Sequence, residues 1–398
     1  MDQGTDFPRC VVIGAGVIGL ASAYFLSRAG VPVTVLERGD VGCGTSSRCD
    51  GNVLAVDKDP GYDAELELKS QALLADLASI LGPMEYRRPG SFLVCDGEDE
   101  VEPALEWVSR HRERGLPLEF LDRQSLHARL PDISPHVPAG LYNEGDSTLN
   151  PLLYTHRLAQ AARDLGAEIR PRSPVHALEV AGGKVRAVRL ENGDILGADV
   201  VVVAAGVWTP PLLAPIGVSL PIRPRQGMIL VSAKGPRFGN EKVMEFGYLM
   251  AKFGRERRAP KDACAHGVAL VYEPTASGNF LLGSSRRFVG FDTDPDPDVL
   301  ASIARRARHF YPGMGGSTMI RSYAGLRPWT PDHFPVVSRV DGMEGLVVAA
   351  GHEGDGIGLA AVTGALVRDL VLDRPPIVDP SPLSASRFAG VSLPDADA

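Results

Sequence analysis

Cysteine is scarce in this chain: the 398 residues include five cysteines, and none of them shows Cys-x-x-Cys spacing. An odd number of cysteines without that spacing excludes both a framework of paired disulfides and a four-thiolate metal site. We therefore predict a reducing compartment and no bound metal.

The chain also lacks a basic excess, an N-terminal leader and a long apolar run. Its formal net charge is −8, whereas proteins that bind nucleic acid normally present a basic face. The first ten residues have neither the basic nor the apolar region of a signal peptide, and no apolar run approaches the roughly 18 residues of a membrane-spanning helix. These features predict a cytoplasmic protein with no nucleic-acid partner and no membrane span. Peripheral contact with the inner membrane stays open.

The most informative segment of the sequence is residues 10–38, which read CVVIGAGVIGLASAYFLSRAGVPVTVLER. The pattern is strand, glycine turn, helix, strand and acid. Gly14 allows a tight turn, Gly16 lets the backbone approach a pyrophosphate, and Gly19 lets the helix pack closely on the strand. Glu37, 18 residues past Gly19, is placed to accept hydrogen bonds from ribose hydroxyls. The segment therefore predicts a dinucleotide site.

Two later segments repeat the pattern of a buried strand followed by glycine. Residues 199–206 read DVVVVAAG, and residues 345–351 read GLVVAAG. The second of these continues through a glycine-rich loop into a helical segment. Three separated units would thus build one nucleotide-binding domain, with inserted stretches left to form another. The length also suggests two domains, and the interleaving favours a flavin over a nicotinamide cofactor.

Five stretches of the sequence resemble one known family. They are VVIGAGVIGLASAYFL, GTSSRCDGN, VVVAAGVWT, GLRPWTPDHFP and AGHEGDGIGLAAVTGALV, and together they span nearly the whole chain. On these motifs the chain resembles the glycine oxidase and D-amino acid oxidase family of FAD-dependent oxidoreductases. Within that family, CDGN, LVYEP, GNFLLGSS and GHEGDGIGLA are most similar to the flavoprotein subunit of opine oxidases. D-hydroxyproline and proline dehydrogenases and the C subunit of hydrogen cyanide synthase are near relatives.

The resemblance implies an α/β fold with two interleaved domains. One is a Rossmann-like FAD-binding domain, and the other is an α+β substrate domain built on a large mixed sheet. We predict the FAD-binding domain at residues 1–60, 150–218 and 335–375, the substrate domain at 61–149 and 219–334, and a C-terminal tail at 376–398.

The resemblance also implies which residues bind FAD. The first glycine turn and Glu37 would hold the ADP half, residues 45–47 would lie near the pyrophosphate, and residues 351–356 would line the flavin ring. The full predicted set is Gly14, Gly16, Val17, Ile18, Gly19, Glu37, Arg38, Thr45, Ser46, Ser47, Gly51, Asn52, Val175, Ala205, Gly206, Trp208, Gly351, Gly354, Asp355, Gly356 and Ile357. Sarcosine oxidases attach FAD through a late cysteine, whereas no cysteine follows Cys264 here. We therefore predict noncovalent FAD.

Arg327, in the string GLRP, matches the arginine that binds the substrate carboxylate in the resembling oxidases. A guanidinium offers a planar fork for a carboxylate, and a structural ion pair is the alternative role. Glycine oxidase carries a second arginine in the late loop, where this chain has Gly354. Either substrate recognition differs, or another cation makes that contact. The predicted substrate contacts beside Arg327 are Arg286, Arg287, His352 and Glu353.

The resemblance implies an enzyme that oxidises an amino or imino acid. Arg327 would fix the carboxylate, hydride would pass to flavin N5, and water would hydrolyse the resulting imine. Because a neutral amine needs no further base, we assign structural roles to His333 and His352. Two alternatives stay open: a 2-hydroxy acid dehydrogenase, which would need a base near the flavin, and a flavoprotein subunit that mainly carries electrons within a complex.

The partners implied are few. One is the small amino or imino acid itself. The other is either a companion redox subunit, bearing an iron–sulfur centre or a second flavin, or further copies of this chain.

Overall fold

The computed structural model describes residues 7–252, 257 and 259–391. Its α-helices, in chain order, are α1 Val17–Arg28, α2 Tyr62–Ile80, α3 Val101–Glu113, α4 Arg123–Arg129, α5 Pro151–Asp164, α6 Thr209–Leu213, α7 Phe246–Lys252, α8 Lys261–Ala265, α9 Pro297–Phe310 and α10 Gly356–Val371. Its strands are β1 Cys10–Ile13, β2 Val33–Leu36, β3 Asn52–Val53, β4 Ser91–Val94, β5 Glu119–Asp122, β6 Ala139–Asn143, β7 Ser147–Thr148, β8 Glu168–Arg170, β9 Val175–Ala181, β10 Lys184–Leu190, β11 Ile195–Gly197, β12 Val200–Val203, β13 Arg223–Ser232, β14 Lys242–Glu245, β15 Val271–Pro274, β16 Phe280–Gly283, β17 Met319–Trp329, β18 Val336–Val340 and β19 Met343–Ala350.

A nine-stranded sheet with a parallel centre forms the first layer. Its order is β11-β10-β19-β12-β1-β2-β8, with β9 paired to β10 and β18 paired to β19. β1 lies parallel to β2 and β12, and β12 lies parallel to β19. Parallel strands are buried on both faces, which explains their nearly continuous runs of valine. The three strand-plus-glycine units are therefore close together, and their carboxyl ends meet at one edge of the sheet.

Helices rich in small residues cover one face of this sheet. Gly364 of α10 lies against the backbone of Ala21 in α1, where a side chain at position 364 would collide with it. α2 packs on α10, because Ser70 donates a hydrogen bond to the Gly358 carbonyl and accepts one from the Val362 amide. α2 therefore shares the core of the nine-stranded sheet, although its residues fall within the predicted substrate domain. The domain boundaries stay a prediction.

The second layer is an eight-stranded sheet of order β17-β13-β16-β15-β14-β4-β6-β5. Most of its pairs are antiparallel, but β14 and β4 are parallel, so the sheet is mixed. β13 and β17 form a long pair whose register sets Arg225 opposite Arg327. Directly paired residues of an antiparallel pair lie on the same face. The predicted mixed α/β fold is confirmed.

The end of the chain packs on the nine-stranded sheet as far as it is described. Leu383 and Phe388 are buried, and the Ala385 amide donates to the Ser338 hydroxyl at 2.9 Å. The last part of the predicted tail, residues 392–398, lies outside the described residues. None of the helices described above combines the length and the apolar character needed to cross a membrane.

Candidate active site

A long cleft of about 420 Å³ runs along the carboxyl ends of β1, β12 and β19 and continues towards the eight-stranded sheet. The turn after β1 forms its floor. Gly14 has φ +106°, and a Cβ there would overlap the carbonyl oxygen of Ala204. A Cβ on Gly19 would overlap the carbonyl of Gly14, because α1 crosses directly over the turn. Both positions therefore require glycine.

The start of α1 is tied to the loop that follows β2. The Val17 amide donates to the Ser46 hydroxyl at 3.0 Å, and a Cβ on Gly16 would lie 3.2 Å from the same oxygen. Gly16 caps the helix without a side-chain hydrogen bond. A glycine turn that opens a helix in this way presents backbone N–H groups and the positive end of the helix dipole to an anion.

Glu37 is fixed where β2 ends. Its carboxylate accepts hydrogen bonds from the Ala15 amide at 2.8 Å and from the Gly39 amide at 2.9 Å. It therefore joins the glycine turn to the end of the neighbouring strand, a role that the sequence did not predict. Beyond it, the Arg38 guanidinium lies over the ring of Trp208, with 3.5 Å between its carbon and the ring centroid.

Most residues of the predicted cofactor set line the long cleft. They are Gly14, Gly16, Val17, Ile18, Glu37, Arg38, Thr45, Ser46, Val175, Ala205, Gly206, Trp208, Gly351, Gly354, Gly356 and Ile357. Five residues of the set lie elsewhere. Gly19 is inside α1, the Ser47 hydroxyl donates to the Gly44 carbonyl, Gly51 packs against the Leu149 carbonyl, and Asn52 and Asp355 line a second cavity.

The second cavity, of about 60 Å³, adjoins the long cleft. Both are lined by Asp50, Arg327, Glu353 and Gly354. Arg327 extends from β17 across the backbone of Gly227, where a Cβ would overlap its guanidinium. It donates hydrogen bonds to the Ser284 hydroxyl and the Ser285 carbonyl. No salt bridge joins Arg327 to a carboxylate in the described part of the chain. The described residues therefore do not provide the structural ion pair that was its alternative role.

The two other arginines predicted as substrate contacts lie in different places. Arg286 lines the second cavity and stacks on the Tyr248 ring, at 3.5 Å from the ring centroid. Arg287 lines neither cavity and pairs with Asp296 at 2.6 Å. Its ion pair anchors Arg287 at the start of α9, and its role as a substrate contact stays a prediction.

The late-loop residues His352 and Glu353 make structural contacts. His352 Nε2 lies 2.9 Å from the Thr363 hydroxyl, and burial lowers the pKa of this histidine to about 3, which keeps the ring neutral. The Glu353 carboxylate forms a salt bridge with Arg225 and lies 3.0 Å from His333 Nδ1. Both residues line the long cleft, but their side chains are already held by protein partners.

Two buried lysines support the walls of the second cavity. Lys242 lies 3.0 Å from Asp50 and 3.1 Å from Glu273, and it has no solvent-exposed area. Burial acts to lower its pKa, but these two carboxylates hold the pKa above its usual value. Lys58 lies 2.7 Å from Asp57 and 2.9 Å from Asp355 in the same manner.

The sequence did not indicate Arg225, Tyr248, Lys58 or Lys242 as site residues. Their positions follow from strand register and from contacts between distant segments, which sequence spacing does not reveal.

A second group of side chains, away from both cavities, was also not predicted from the sequence. Asp96 lies 3.2 Å from His136 Nε2 and 2.6 Å from His309 Nε2, and these three could hold a metal ion. Arg306 pairs with the other oxygen of Asp96.

Comparisons with known proteins agree with this geometry. The chain matches the family of FAD-dependent oxidoreductases called DAO over residues 9–370. It is similar to the glycine oxidase of Pseudomonas aeruginosa, with 29% identity over 386 residues that cover 94% of this chain and 97% of that protein. It is also similar to the hydrogen cyanide synthase subunit HcnC of the same species, with 27% identity over 420 residues that cover 95% of each. The solved structure of glycine oxidase from Geobacillus kaustophilus is 25% identical, with a TM-score of 0.86 over 96% of this chain and 99% of that one.

Proposed function

The chain belongs to the DAO family of FAD-dependent oxidoreductases, and from this premise we propose that it oxidises an amino or imino acid whose carboxylate is bound by Arg327. The observation that carries the proposal is the position of this guanidinium at the junction of the two cavities. It is hydrogen bonded there by Ser284 and Ser285, without a carboxylate partner among the described residues. The similarity to a glycine oxidase over nearly the whole chain supports the same substrate class.

FAD is the cofactor of this family, and the long cleft has the chemical features that FAD requires. The glycine turn packs closely, since a Cβ on Gly14 would overlap the Ala204 carbonyl and a Cβ on Gly16 would lie 3.2 Å from the Ser46 hydroxyl, and the start of α1 presents backbone amides for a pyrophosphate. We assign the pyrophosphate to this turn with Ser46, the adenine to Val175, and the flavin ring to the late loop at residues 351–356. Bound FAD supplies the two-electron acceptor of the reaction.

The protein's own contribution is orientation. Arg327 binds the carboxylate, which fixes the position of the neighbouring α carbon at the junction of the two cavities. Holding a substrate in a reactive geometry removes a large entropic part of the barrier. The α C–H bond gives up a hydride, for which bound FAD would be the acceptor, and the amine nitrogen gives up a proton to water, which leaves an imine. Water then converts the imine to a carbonyl product and ammonia or an amine.

Replacing Glu37 by alanine should weaken FAD binding. A hydrogen bond to a charged acceptor contributes roughly 1.5–3 kcal/mol, so affinity should fall about tenfold to a hundredfold. Because the Ala15 and Gly39 amides lose their acceptor, the apoprotein should also melt at a lower temperature. Titration of apoprotein with FAD and thermal unfolding measure the two effects. Unchanged affinity would show that Glu37 serves only the backbone.

FAD should be released intact when the protein is denatured. The late loop contains no cysteine, and the two cysteines that line the cleft are Cys43 and Cys49. Burial raises the pKa of both thiols, with further raising by Glu37 at Cys43 and by Asp50 at Cys49, so neither is a ready nucleophile. Acid precipitation should leave the yellow colour in the supernatant. Flavin that stays with the precipitate contradicts this prediction.

A 2-hydroxy acid is the second candidate substrate class, and the position of Tyr248 supports it. Oxidation of an alcohol needs a base near the reacting carbon. Tyr248 lines the second cavity. Burial acts to raise its pKa, but Arg286, Arg327 and Arg225 lower the value to about 8, so the phenolate form is accessible near neutral pH and can accept a proton.

Anaerobic mixing of the purified holoenzyme with candidate substrates tests the proposed function. The panel contains D- and L-amino acids, N-alkyl amino acids and matched 2-hydroxy acids, and loss of the flavin absorbance identifies the reacting class. Reduction by amines and not by the matched hydroxy acids supports the proposal. Reduction by hydroxy acids alone supports the second candidate, and reduction by neither class supports an electron-carrying subunit.

We propose a companion redox subunit because the chain is similar to HcnC, which is a subunit of hydrogen cyanide synthase. Rapid production of hydrogen peroxide by the isolated chain would count against an obligatory partner. The particular likeness to opine oxidases and the cytoplasmic location stay predictions.

A further inference from the structure

Three side chains that can ligate a metal meet at the surface beside the eight-stranded sheet. Asp96 follows β4 by two residues, His136 lies in the loop before β6, and His309 is the next-to-last residue of α9. Their ligand atoms, Asp96 Oδ1 and the Nε2 atoms of the two histidines, all lie within 4.8 Å of one another. Both ring nitrogens face the same oxygen, at 3.2 Å for His136 and at 2.6 Å for His309. The fold therefore brings together three donors that lie far apart in the sequence.

The backbone at each of these three side chains is anchored, because a neighbour in the chain has no exposed area. The buried neighbours are Cys95, Val137 and Phe310. In addition, the Ser134 amide donates to the Phe310 carbonyl at 2.7 Å, which ties the loop before β6 to the end of α9. The donors are thus held near one another before any ligand arrives, and such preorganisation lowers the entropic cost of binding.

Outer contacts orient two of the three donors. His136 Nδ1 lies 2.8 Å from the Ser134 hydroxyl, which leaves Nε2 to face the cluster. Arg306 binds Asp96 Oδ2 at 2.8 Å, so Oδ1 is the oxygen directed at the two rings. Histidines and carboxylates that bind metals in proteins are usually oriented by outer partners of this kind.

The cluster is open enough to accept the charge of a metal. Its three side chains are between 16% and 44% exposed, so water can complete the coordination. Arg306 is shared between Asp96 and Glu245, and Glu245 is also paired with Arg257. These two arginines and two carboxylates balance. The charge of a bound metal would therefore be screened by water and by ions of the solution, as it can be at a surface.

We infer that Asp96, His136 and His309 form a binding site for a divalent transition metal of the zinc class, with water in the open positions. Two imidazoles and one carboxylate suit zinc, nickel or copper, whereas magnesium and calcium prefer oxygen ligands alone. Tetrahedral zinc, with bonds of about 2.0–2.2 Å, holds its ligands about 3.3 Å apart. The contact of His136 already has this spacing. His309 is the most exposed of the three and needs to withdraw by less than about 1 Å.

This site is independent of the proposed function. None of the three side chains lines the long cleft or the second cavity, so the metal would join three segments of the fold and take no part in the oxidation. The inference replaces the prediction of no bound metal. That prediction rested on the cysteines, and their spacing excludes only a site built from thiolates.

The rival interpretation is a network of hydrogen bonds and ion pairs that needs no metal, in which Asp96 serves the two histidines and Arg306. The two interpretations differ in what the histidines contribute to zinc binding. In a network without a metal site, any zinc that binds does so elsewhere, and the loss of either histidine leaves that binding unchanged. In a metal site each histidine supplies one coordination bond, and the loss of either one weakens zinc binding.

Equilibrium dialysis of the holoenzyme against zinc separates the two interpretations. The protein carries no histidine tag, because a tag would itself bind zinc, and atomic absorption measures the metal that is bound. Thermal unfolding with and without zinc provides a second readout. His136→Ala and His309→Ala each remove one ligand. His156→Ala is the matched control, because His156 is an exposed histidine on α5 that belongs to no such group in the part of the chain that the structure describes.

We expect wild type to bind one zinc ion per chain, and zinc to raise its melting temperature, because a ligand that binds only the folded chain stabilises it. Loss of an outer partner of a metal site lowers affinity about tenfold to a hundredfold, so His136→Ala and His309→Ala should each lose at least about tenfold. His156→Ala should bind zinc as wild type does. Excess magnesium should not displace the zinc.

No saturable zinc binding by wild type, or a loss of less than about tenfold in either ligand variant, overturns the inference. Displacement of zinc by excess magnesium overturns the assignment of the metal class. The wild-type dialysis is decisive if the variants do not fold. Because neither readout requires that an amine be oxidised, failure of the proposed function leaves this result intact, and loss of the zinc site leaves the proposed function standing.

Discussion

Replacement of Arg327 by alanine should lower kcat/KM for the amine substrate by roughly 30-fold to several thousandfold. Truncation of one partner of a buried, hydrogen-bonded charge pair costs about 2–5 kcal/mol, and each 1.36 kcal/mol corresponds to about a factor of ten in rate. In this protein the guanidinium lies across Gly227 and is held by Ser284 and Ser285. The carboxylate would therefore lose its one preorganised fork.

Conservative and remote variants show whether this effect is specific. Arg327→Lys should recover only part of the activity, because an ammonium cannot reproduce the bidentate geometry. Arg321→Ala, on the same strand but exposed, should leave kcat/KM unchanged. FAD content and melting temperature should stay near the wild-type values in all three variants. Normal kcat/KM in Arg327→Ala would remove Arg327 from the substrate site.

Replacement of Lys242 by methionine should lower the free energy of unfolding by about 3–5 kcal/mol, because it removes the paired cation of the buried Glu273 and the partly buried Asp50. Lys242 has no exposed area and lies between Asp50 and Glu273. Equilibrium unfolding in urea measures the loss. Lys184→Met is the control, since its pair with Glu344 is at the surface, where ion pairs contribute little. Equal stability of Lys242→Met and wild type would contradict the prediction.

The stability difference between wild type and Lys242→Met should also depend on pH, in a direction that the pKa shifts determine. Burial acts to raise the pKa of Asp50, but Lys242 holds it below its usual value, so in wild type the contribution of this pair is lost as pH falls through that range. In Lys242→Met the dominant effect on both carboxylates is burial, which raises their pKa and makes protonation relieve the variant. The difference in unfolding free energy between the two proteins should therefore shrink as pH falls towards the usual pKa of a carboxyl group, about 4.

The long cleft could be predicted from sequence because its chemistry is local. Gly14, Gly16 and Glu37 belong to one short unit, and the dihedral angles and helix terminus that they require follow from neighbours in the chain. The units that end at Gly206 and Gly351 repeat the same pattern, so they can be recognised from the sequence. The sheet brings the three units together because buried strands of this kind pair in parallel.

The second cavity could not be predicted in the same way, because its residues meet through register and packing. Arg225 lies opposite Arg327 only because β13 and β17 pair as they do. Arg286 and Arg287 are adjacent and chemically identical, yet the first stacks on Tyr248 and the second pairs with Asp296. No spacing rule separates such neighbours.

The position of β19 in the sheet has a consequence for how the protein is made. This strand, Met343–Ala350, lies between β10 and β12 near the middle of the nine-stranded sheet, although it is the last strand among the described residues. During synthesis β12 therefore cannot pair with β19 until more than a hundred residues that contribute to the other sheet have emerged from the ribosome. Until Ala350 has left the exit tunnel the sheet has an open gap at its centre, with the unpaired backbone groups that promote association between chains. The late loop that completes the cleft follows β19, so the whole cleft can form only after the strands of both sheets have been synthesised.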